Sequence, residues 1–147
     1  MTGPVAIRPL RMQDRGAWDP LARGYKTFYE TPTSDEEFER AWRRLHAGDP
    51  LHGLCAELEG RLVGIAHYLF HANVWEPKVC YLQDLFTAPE ARGRGVARAL
   101  IAAVADDARR RGATRYYWLT KENNEAARAL YDKVARYKGF IRYDFAL

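Results

Sequence analysis

Hydrophobic residues along the chain follow two spacings, one typical of strands and one typical of helices. Short runs rich in Val, Ile, Leu and aromatic residues predict six strands, at residues 5–8, 54–58, 61–69, 79–87, 114–120 and 140–145. Apolar residues spaced by three and four predict helices at residues 12–29, 34–45, 95–111 and 125–137. Gly16, Pro20 and Gly24 interrupt the first helical stretch, so it is expected either as one weak helix or as two shorter pieces.

Local signals support these boundaries. Ser34 and Glu37 have the spacing of a capping box, and Glu59-Gly60 between two strands is typical of a tight hairpin turn. The resulting order is a strand, two helices, a three-strand meander, then helix, strand, helix and strand. We therefore predict a single α/β domain over residues 1–147, with a mixed sheet and helices on both faces.

Composition and charge exclude several classes of protein. The chain has 147 residues, 48% of them hydrophobic, and a net charge of +4, which is too mild to indicate nucleic-acid binding. No apolar run approaches the length of a membrane span, and the first four residues carry no signal-peptide core, so a cytoplasmic protein is expected. Cys55 and Cys80 lack partners at metal-ligand spacing, and the pair His67 and His71 predicts no metal site.

The most informative segment follows the strand at residues 79–87. Two glycines precede a strongly amphipathic helix in the run Arg92, Gly93, Arg94, Gly95, Val96, Ala97. Glycines let backbone amides approach a ligand, and the first amides of a helix have no partner within the helix and attract anions. The segment therefore predicts a phosphate-binding site.

Two better-known phosphate motifs do not fit this segment. Nothing matches the P-loop pattern, and Arg98 occupies the place of the third glycine of the dinucleotide fingerprint. A flexible turn with two solvated arginines explains the same residues equally well. The segment alone leaves these two interpretations open.

Two motifs together resemble the GNAT superfamily of CoA-dependent N-acetyltransferases. The family's [QR]-x-x-G-x-[GA] signature is matched by Arg92, Gly95 and Ala97. Its second signature, N-x-x-A-x-x-[LF]-Y, is matched by Asn124, Ala127, Leu130 and Tyr131. Both follow the strands where the family places them, and residues 81–86, Y-L-Q-D-L-F, look like the diamine and polyamine acetyltransferase branch.

The resemblance implies a mostly antiparallel sheet of six to seven strands and about four helices, with acetyl-CoA in a cleft where the fourth and fifth strands splay apart. In that cleft the main chain of Leu85, Phe86 and Thr87 would contact the pantetheine arm. The pyrophosphate would meet the amides from Gly93 to Ala97. Asn124 looks like a side-chain contact to the same arm, and it is also suited to cap the next helix.

The resemblance also implies the chemistry. Tyr131 matches the tyrosine that protonates the leaving thiolate, and its ordinary pKa near 10 lets it donate at neutral pH. The glutamate expected on the fourth strand is replaced by Gln83, which cannot take a proton. Asp84 is adjacent but on the opposite face unless a bulge turns it, and it could hold the substrate ammonium or accept a proton through water.

The acceptor side is expected to be lined by Tyr25, Tyr29, Glu30, Trp75 and Gln83, since aromatic rings with a carboxylate suit a cationic amine. The leading hypothesis is an N-acetyltransferase for a small amine. A protein lysine or N-terminus as acceptor and a non-catalytic acyl-CoA-binding domain are the alternatives. Homodimers are common in the family.

One departure concerns the end of the chain. The family usually places Gly-Phe four residues after the tyrosine, whereas Gly139 comes eight after Tyr131. The last helix is expected to be longer, or to end in a looser turn at residues 135–138.

Overall fold

Five strands and four helices form the computed structural model, which describes residues 3–147. Residues 1 and 2, on which the predicted domain boundary and the signal-peptide prediction partly depend, lie outside the described residues. The strands are β1 (Ala6–Pro9), β2 (Leu51–Leu58), β3 (Arg61–His71), β4 (Val79–Thr87) and β5 (Arg115–Trp118). The helices are α1 (Arg15–Phe28), α2 (Asp35–Leu45), α3 (Val96–Arg110) and α4 (Glu125–Val134).

The sheet has the order β1-β2-β3-β4-β5, antiparallel except for the parallel pair β4–β5. The mixed, mostly antiparallel sheet is therefore confirmed. The Ser34 and Glu37 capping box is present, and Glu59 and Gly60 both have positive φ, as a tight hairpin turn requires. A 3-10 turn at Met12–Asp14 precedes α1, which continues through Pro20.

The predicted count of six to seven strands is wrong, because the described residues contain five. Residues 140–145 form no strand, and every side chain from 135 to 147 is exposed. Ala135 has extended backbone dihedrals that end α4 at Val134, so the looser turn is the alternative that holds. Alternating apolar residues suit a strand, but a strand forms only where a neighbouring edge accepts its hydrogen bonds.

Two consecutive residues of β3 show how the helices are arranged on the sheet. Successive strand side chains point to opposite faces. His67 contacts Trp18 of α1, whereas the Tyr68 hydroxyl donates to Asp107 of α3 at 2.6 Å. Helices α1 and α3 therefore cover opposite faces, and the apolar core lies on both sides of β3 and β4.

The central strand β4 is irregular in two ways that matter for the site. Its pairing with β5 ends at Leu82 opposite Trp118, although β4 continues to Thr87. Its register with β3 shifts between His67, which faces Asp84, and Tyr68, which faces Leu82. The register shift makes Gln83 an extra residue in a β-bulge. The early end of the pairing with β5 confirms the splay expected between the fourth and fifth strands.

Candidate active site

The loop before α3 forms an open cradle of backbone amides. Gly93 and Gly95 have φ of 77° and 78°, in the left-handed region that favours glycine. Nothing lies within 4 Å of a Cβ built on either residue. The amides from Gly95 to Arg98 donate to no other backbone group of the described chain. The cradle can therefore hold an anion, with the side chains of Arg92 and Arg94 exposed beside it.

Close packing fixes the start of α3 beneath this cradle. Val96 is buried, and a Cβ added to Gly64 of β3 would lie only 2.7 Å from its Cγ1 atom. The side chain of Phe86 approaches α1 equally closely, since a Cβ on Gly24 would lie 2.7 Å from its Cζ atom. The loop is thereby held at the end of the sheet where β4 and β5 separate.

The part of β4 beyond the last pair with β5 carries three predicted contacts to a cofactor. Leu85, Phe86 and Thr87 pair with β3 on one side and have no β5 partner on the other. The Thr87 hydroxyl is buried and has no hydrogen-bond partner among the described residues. The arrangement fits a ligand with amide groups lying along β4, as the pantetheine arm has.

Asn124 and Tyr131 lie on the other side of this opening. Asn124 is the N-cap residue of α4, as predicted, but its side chain makes no capping bond and donates instead to the Thr120 hydroxyl at 3.0 Å. The Tyr131 ring packs edge-on against Trp118, with 5.4 Å between centroids. Burial raises the pKa of Tyr131 to about 12, which keeps its phenol protonated at neutral pH.

The bulge at Gln83 turns Asp84 toward α1. Its Oδ2 atom lies 2.9 Å from Nδ1 of His67, and its side chain is largely buried. Burial alone would raise the pKa of Asp84, but the hydrogen bonds from His67 and Tyr25 and the charge of Lys26 outweigh it. The pKa is therefore lowered, and the carboxylate is ionised at neutral pH.

Asp84 lines a cavity of about 450 Å³ between α1, α2 and the bulge of β4. Three cations also line it, Lys26 from α1 and Arg40 and Arg44 from α2, and none of them forms an ion pair with the residues described. Glu37, at the same cavity, is engaged in the capping box through its Oε2 atom. The cavity therefore joins the buried Asp84 carboxylate to three cations without an ion-pair partner, although the charges of Arg40 and Lys26 help to lower the pKa of Glu37.

The structure brings only some of the predicted acceptor residues together. Tyr25 and Gln83 line the cavity, and the Tyr25 hydroxyl lies between the Gln83 carbonyl, at 3.4 Å, and the Asp84 carboxylate. Tyr29 packs on Tyr25, with 4.9 Å between ring centroids, beside the cavity. Two others lie apart from the cavity lining, Glu30 just after α1 and Trp75, 90% exposed, between β3 and β4.

Four cavity residues were missed from the sequence: Trp18, Lys26, Arg40 and Arg44. His67, which the sequence pairs with His71, also lines the cavity. The spacing of four between the two arginines on α2 was a signal that they share one helix face. The other histidine of the predicted pair, His71, contacts the Ala72 carbonyl and the Tyr117 hydroxyl, at 3.1 and 3.0 Å. Within residues 3–147 there is no cluster of three metal-ligating side chains, and no helix is long and apolar enough to cross a bilayer.

The separated strands, the amide cradle at the start of α3 and the tyrosine across the opening lie together at one end of the sheet. The Acetyltransferase (GNAT) family model matches residues 18–135. The chain therefore belongs to the GNAT acetyltransferase family, and it is an N-acetyltransferase by class.

Named relatives share this class. The chain is 33% identical over 137 residues to the D-amino-acid N-acetyltransferase HPA3 of Saccharomyces cerevisiae, covering 89% of this chain and 84% of the relative. It is 31% identical over 84 residues to a thialysine N-epsilon-acetyltransferase of Caenorhabditis elegans, covering 57% of this chain and 52% of the relative. The fold matches AAC(6')-Iy bound to the bisubstrate analogue CoA-S-monomethyl-acetylneamine, with a TM-score of 0.87, 20% identity and 99% coverage of both chains.

Proposed function

We propose that this protein transfers the acetyl group of acetyl-CoA to the primary amine of a small, amino-acid-like molecule. The observation that carries the proposal is the position of Asp84, an ionised and largely buried carboxylate beside the gap between β4 and β5. A buried charge without a bound countercharge is costly, so a cationic substrate group is the natural partner for it. An ammonium held there lies next to the predicted thioester site.

The cations of the same cavity support an acceptor that also carries a carboxylate. Lys26, Arg40 and Arg44 can bind an anionic group while Asp84 binds the ammonium. A free amino acid or a close analogue has both groups, whereas a polyamine has only cations. The names of the yeast and nematode relatives, which refer to D-amino acids and thialysine, agree with this choice.

Asp84 and Tyr131 have different roles in the proposed acetyl transfer. Acetyl-CoA supplies an activated acetyl group as a thioester. Asp84 holds the amine, whose proton passes to water, since a carboxylate with a lowered pKa is a weak base. Tyr131 donates its phenolic proton to the sulfur as the carbon–sulfur bond breaks and the amide bond forms. The Gln83 side chain takes no proton.

A substitution in the cradle should weaken cofactor binding. We expect Gly95→Ala to raise the Kd for CoA about tenfold or more, because a left-handed backbone costs other residues about 1–2 kcal/mol and the alanine variant would leave the loop conformation that presents the amides. The measurement is calorimetric titration with CoA. Gly112→Ala is the matched control, since it has φ of +80° at the other end of α3 and should leave the Kd unchanged. Equal Kd values for both variants would contradict the assignment.

The acceptor class is tested with a panel of amines, read by thiol release from acetyl-CoA. Amino acids should react with kcat/KM about tenfold or more above their decarboxylated analogues, and the preference should disappear in Arg40→Ala/Arg44→Ala. Arg43→Ala, on the same helix but paired with Glu39 at 4.0 Å, is the control. Faster reaction with a lysine peptide than with every small amine would indicate a protein acceptor instead.

We also propose that the protein is a homodimer formed through residues 140–147. Four apolar side chains of this segment alternate with more polar positions and are exposed. They are Ile141 (71% exposed), Tyr143 (87%), Phe145 (89%) and Leu147. The outer edge of β5 has no partner strand within residues 3–147, so it can accept this segment from a second copy. Light scattering should give a dimer for the protein and a monomer for Ile141→Glu/Phe145→Glu. A monomeric wild-type protein at micromolar concentration would contradict the proposal.

A further inference from the structure

A chain of three side chains connects the core to the acceptor cavity. Trp18 of α1 is 1% exposed, and its Nε1–H donates to Nε2 of His67 at 2.9 Å. On the other side of the same ring, Nδ1 of His67 lies 2.9 Å from Oδ2 of Asp84. The three groups therefore lie in series from α1 through β3 to β4.

The indole fixes where the imidazole carries its proton. An indole N–H can only donate, so Nε2 of His67 must be the acceptor and cannot carry a proton. The single ring proton is then on Nδ1, from which it is donated to Asp84. A second proton on Nε2 would point at the Trp18 N–H, so the contact favours the neutral ring.

The neutral ring has an electrostatic consequence for the cavity. An imidazolium beside Asp84 would cancel the charge of the carboxylate, whereas a neutral imidazole donates a hydrogen bond and leaves the net charge at −1. The other polar and charged residues that line the same cavity are Tyr25, Lys26, Thr31, Thr33, Glu37, Arg40, Arg44, Tyr68 and Gln83. None of these donates to Nε2 of His67 in place of Trp18.

We propose that Trp18 and His67 are positioning residues that keep Asp84 negatively charged and oriented toward the substrate ammonium. Neither nitrogen of His67 is free to take a proton from the substrate, so His67 acts through Asp84. The proposal rests on the proposed role of Asp84 in amine binding, but its first consequence, the tautomer of His67, can be measured without any substrate.

The first experiment measures the ¹⁵N chemical shifts of His67 by NMR at neutral pH. The wild-type protein should show a protonated Nδ1 and a bare Nε2. In Trp18→Phe, which lacks the donor, the fixed tautomer should be replaced by a mixture or by imidazolium. A wild-type ring that is charged, or protonated on Nε2, would overturn the proposal even if the enzyme acetylates amines as expected.

The second experiment compares two amide substitutions at His67. The amide of asparagine is attached where Nδ1 is, so His67→Asn can still donate to Asp84. The amide of glutamine reaches the place of Nε2, so His67→Gln keeps the contact to Trp18 and loses the one to Asp84. We expect KM for the amine to stay within about threefold for the asparagine variant and to rise about 10- to 100-fold for the glutamine variant, with kcat changed less.

Thermal melting and CoA titration of both variants separate this effect from loss of the fold. A purely structural role for His67 predicts the same change in KM for both substitutions, in proportion to the loss of stability, and that result would overturn the proposal. If no amine were acetylated by the wild-type protein, the proposed function would fail, whereas the tautomer measurement would still decide whether Trp18 and His67 behave as inferred.

Discussion

Replacing Tyr131 by phenylalanine is expected to lower kcat by about 10²- to 10⁴-fold, the range typical of a lost general acid. The substitution removes only the hydroxyl, and the ring can keep its edge-on contact with Trp118. Because burial raises the pKa of Tyr131 to about 12, the phenol stays protonated through the range in which amines lose their protons. Wild-type kcat should therefore rise with pH as the amine is deprotonated, without a fall until strongly alkaline pH.

The measurement is steady-state kinetics with saturating acetyl-CoA, combined with the Kd for CoA. Tyr137→Phe provides a control, since Tyr137 follows α4 and is 58% exposed. It should retain full activity. A Tyr131→Phe variant with undiminished kcat on every accepted amine would show that another group or water protonates the thiolate.

The second large effect is expected for Asp84→Asn. This substitution preserves shape, and its side-chain oxygen can still accept the hydrogen bond from His67. It removes the negative charge, and loss of one partner of a buried ion pair costs about 3–5 kcal/mol, or about 10²- to 10⁴-fold in kcat/KM for the amine. The Kd for CoA should not change, because the amide cradle lies in a different element.

The lowered pKa of Asp84 also predicts the direction in which the stability of the fold changes with pH. A carboxylate with a lower pKa in the folded state stabilises the fold above the pKa of the unfolded chain, about 4, and that contribution is lost as the pH falls through the folded value. Asp84→Asn should therefore flatten the acid side of the stability profile. Asp106→Asn, at an exposed carboxylate of α3, is the control. Unchanged kcat/KM in Asp84→Asn would contradict its assignment.

The parts of this molecule that local sequence determines were predicted well. The hairpin at Glu59 and Gly60, the capping box at Ser34 and the glycine-rich start of α3 each depend on residues within a few positions of one another. The motifs around Arg92 and Asn124 are also local, because each lies at one strand–helix junction, and the binding and catalytic roles of their residues stay predictions. Such patterns can be recognised without knowledge of the tertiary structure.

The parts that depend on contacts between distant segments were not predicted. Alternation alone could not reveal that residues 140–145 lack a neighbouring strand in the chain. The bulge that turns Asp84 was considered, but its position follows from the register with β3. The contact from Trp18 to His67 joins residues 49 positions apart, and neither residue type signals it.

Acetyl transfer from acetyl-CoA to an amino acid is tested most directly with acetyl-CoA labelled in the acetyl group. The labelled cofactor is incubated with the protein and an amino acid, and the products are identified by mass spectrometry. We expect label in an N-acetylated amino acid, one free thiol released per acetyl group transferred, and loss of both in Tyr131→Phe. Thiol release without labelled amide, or the absence of CoA binding, would contradict the proposed function.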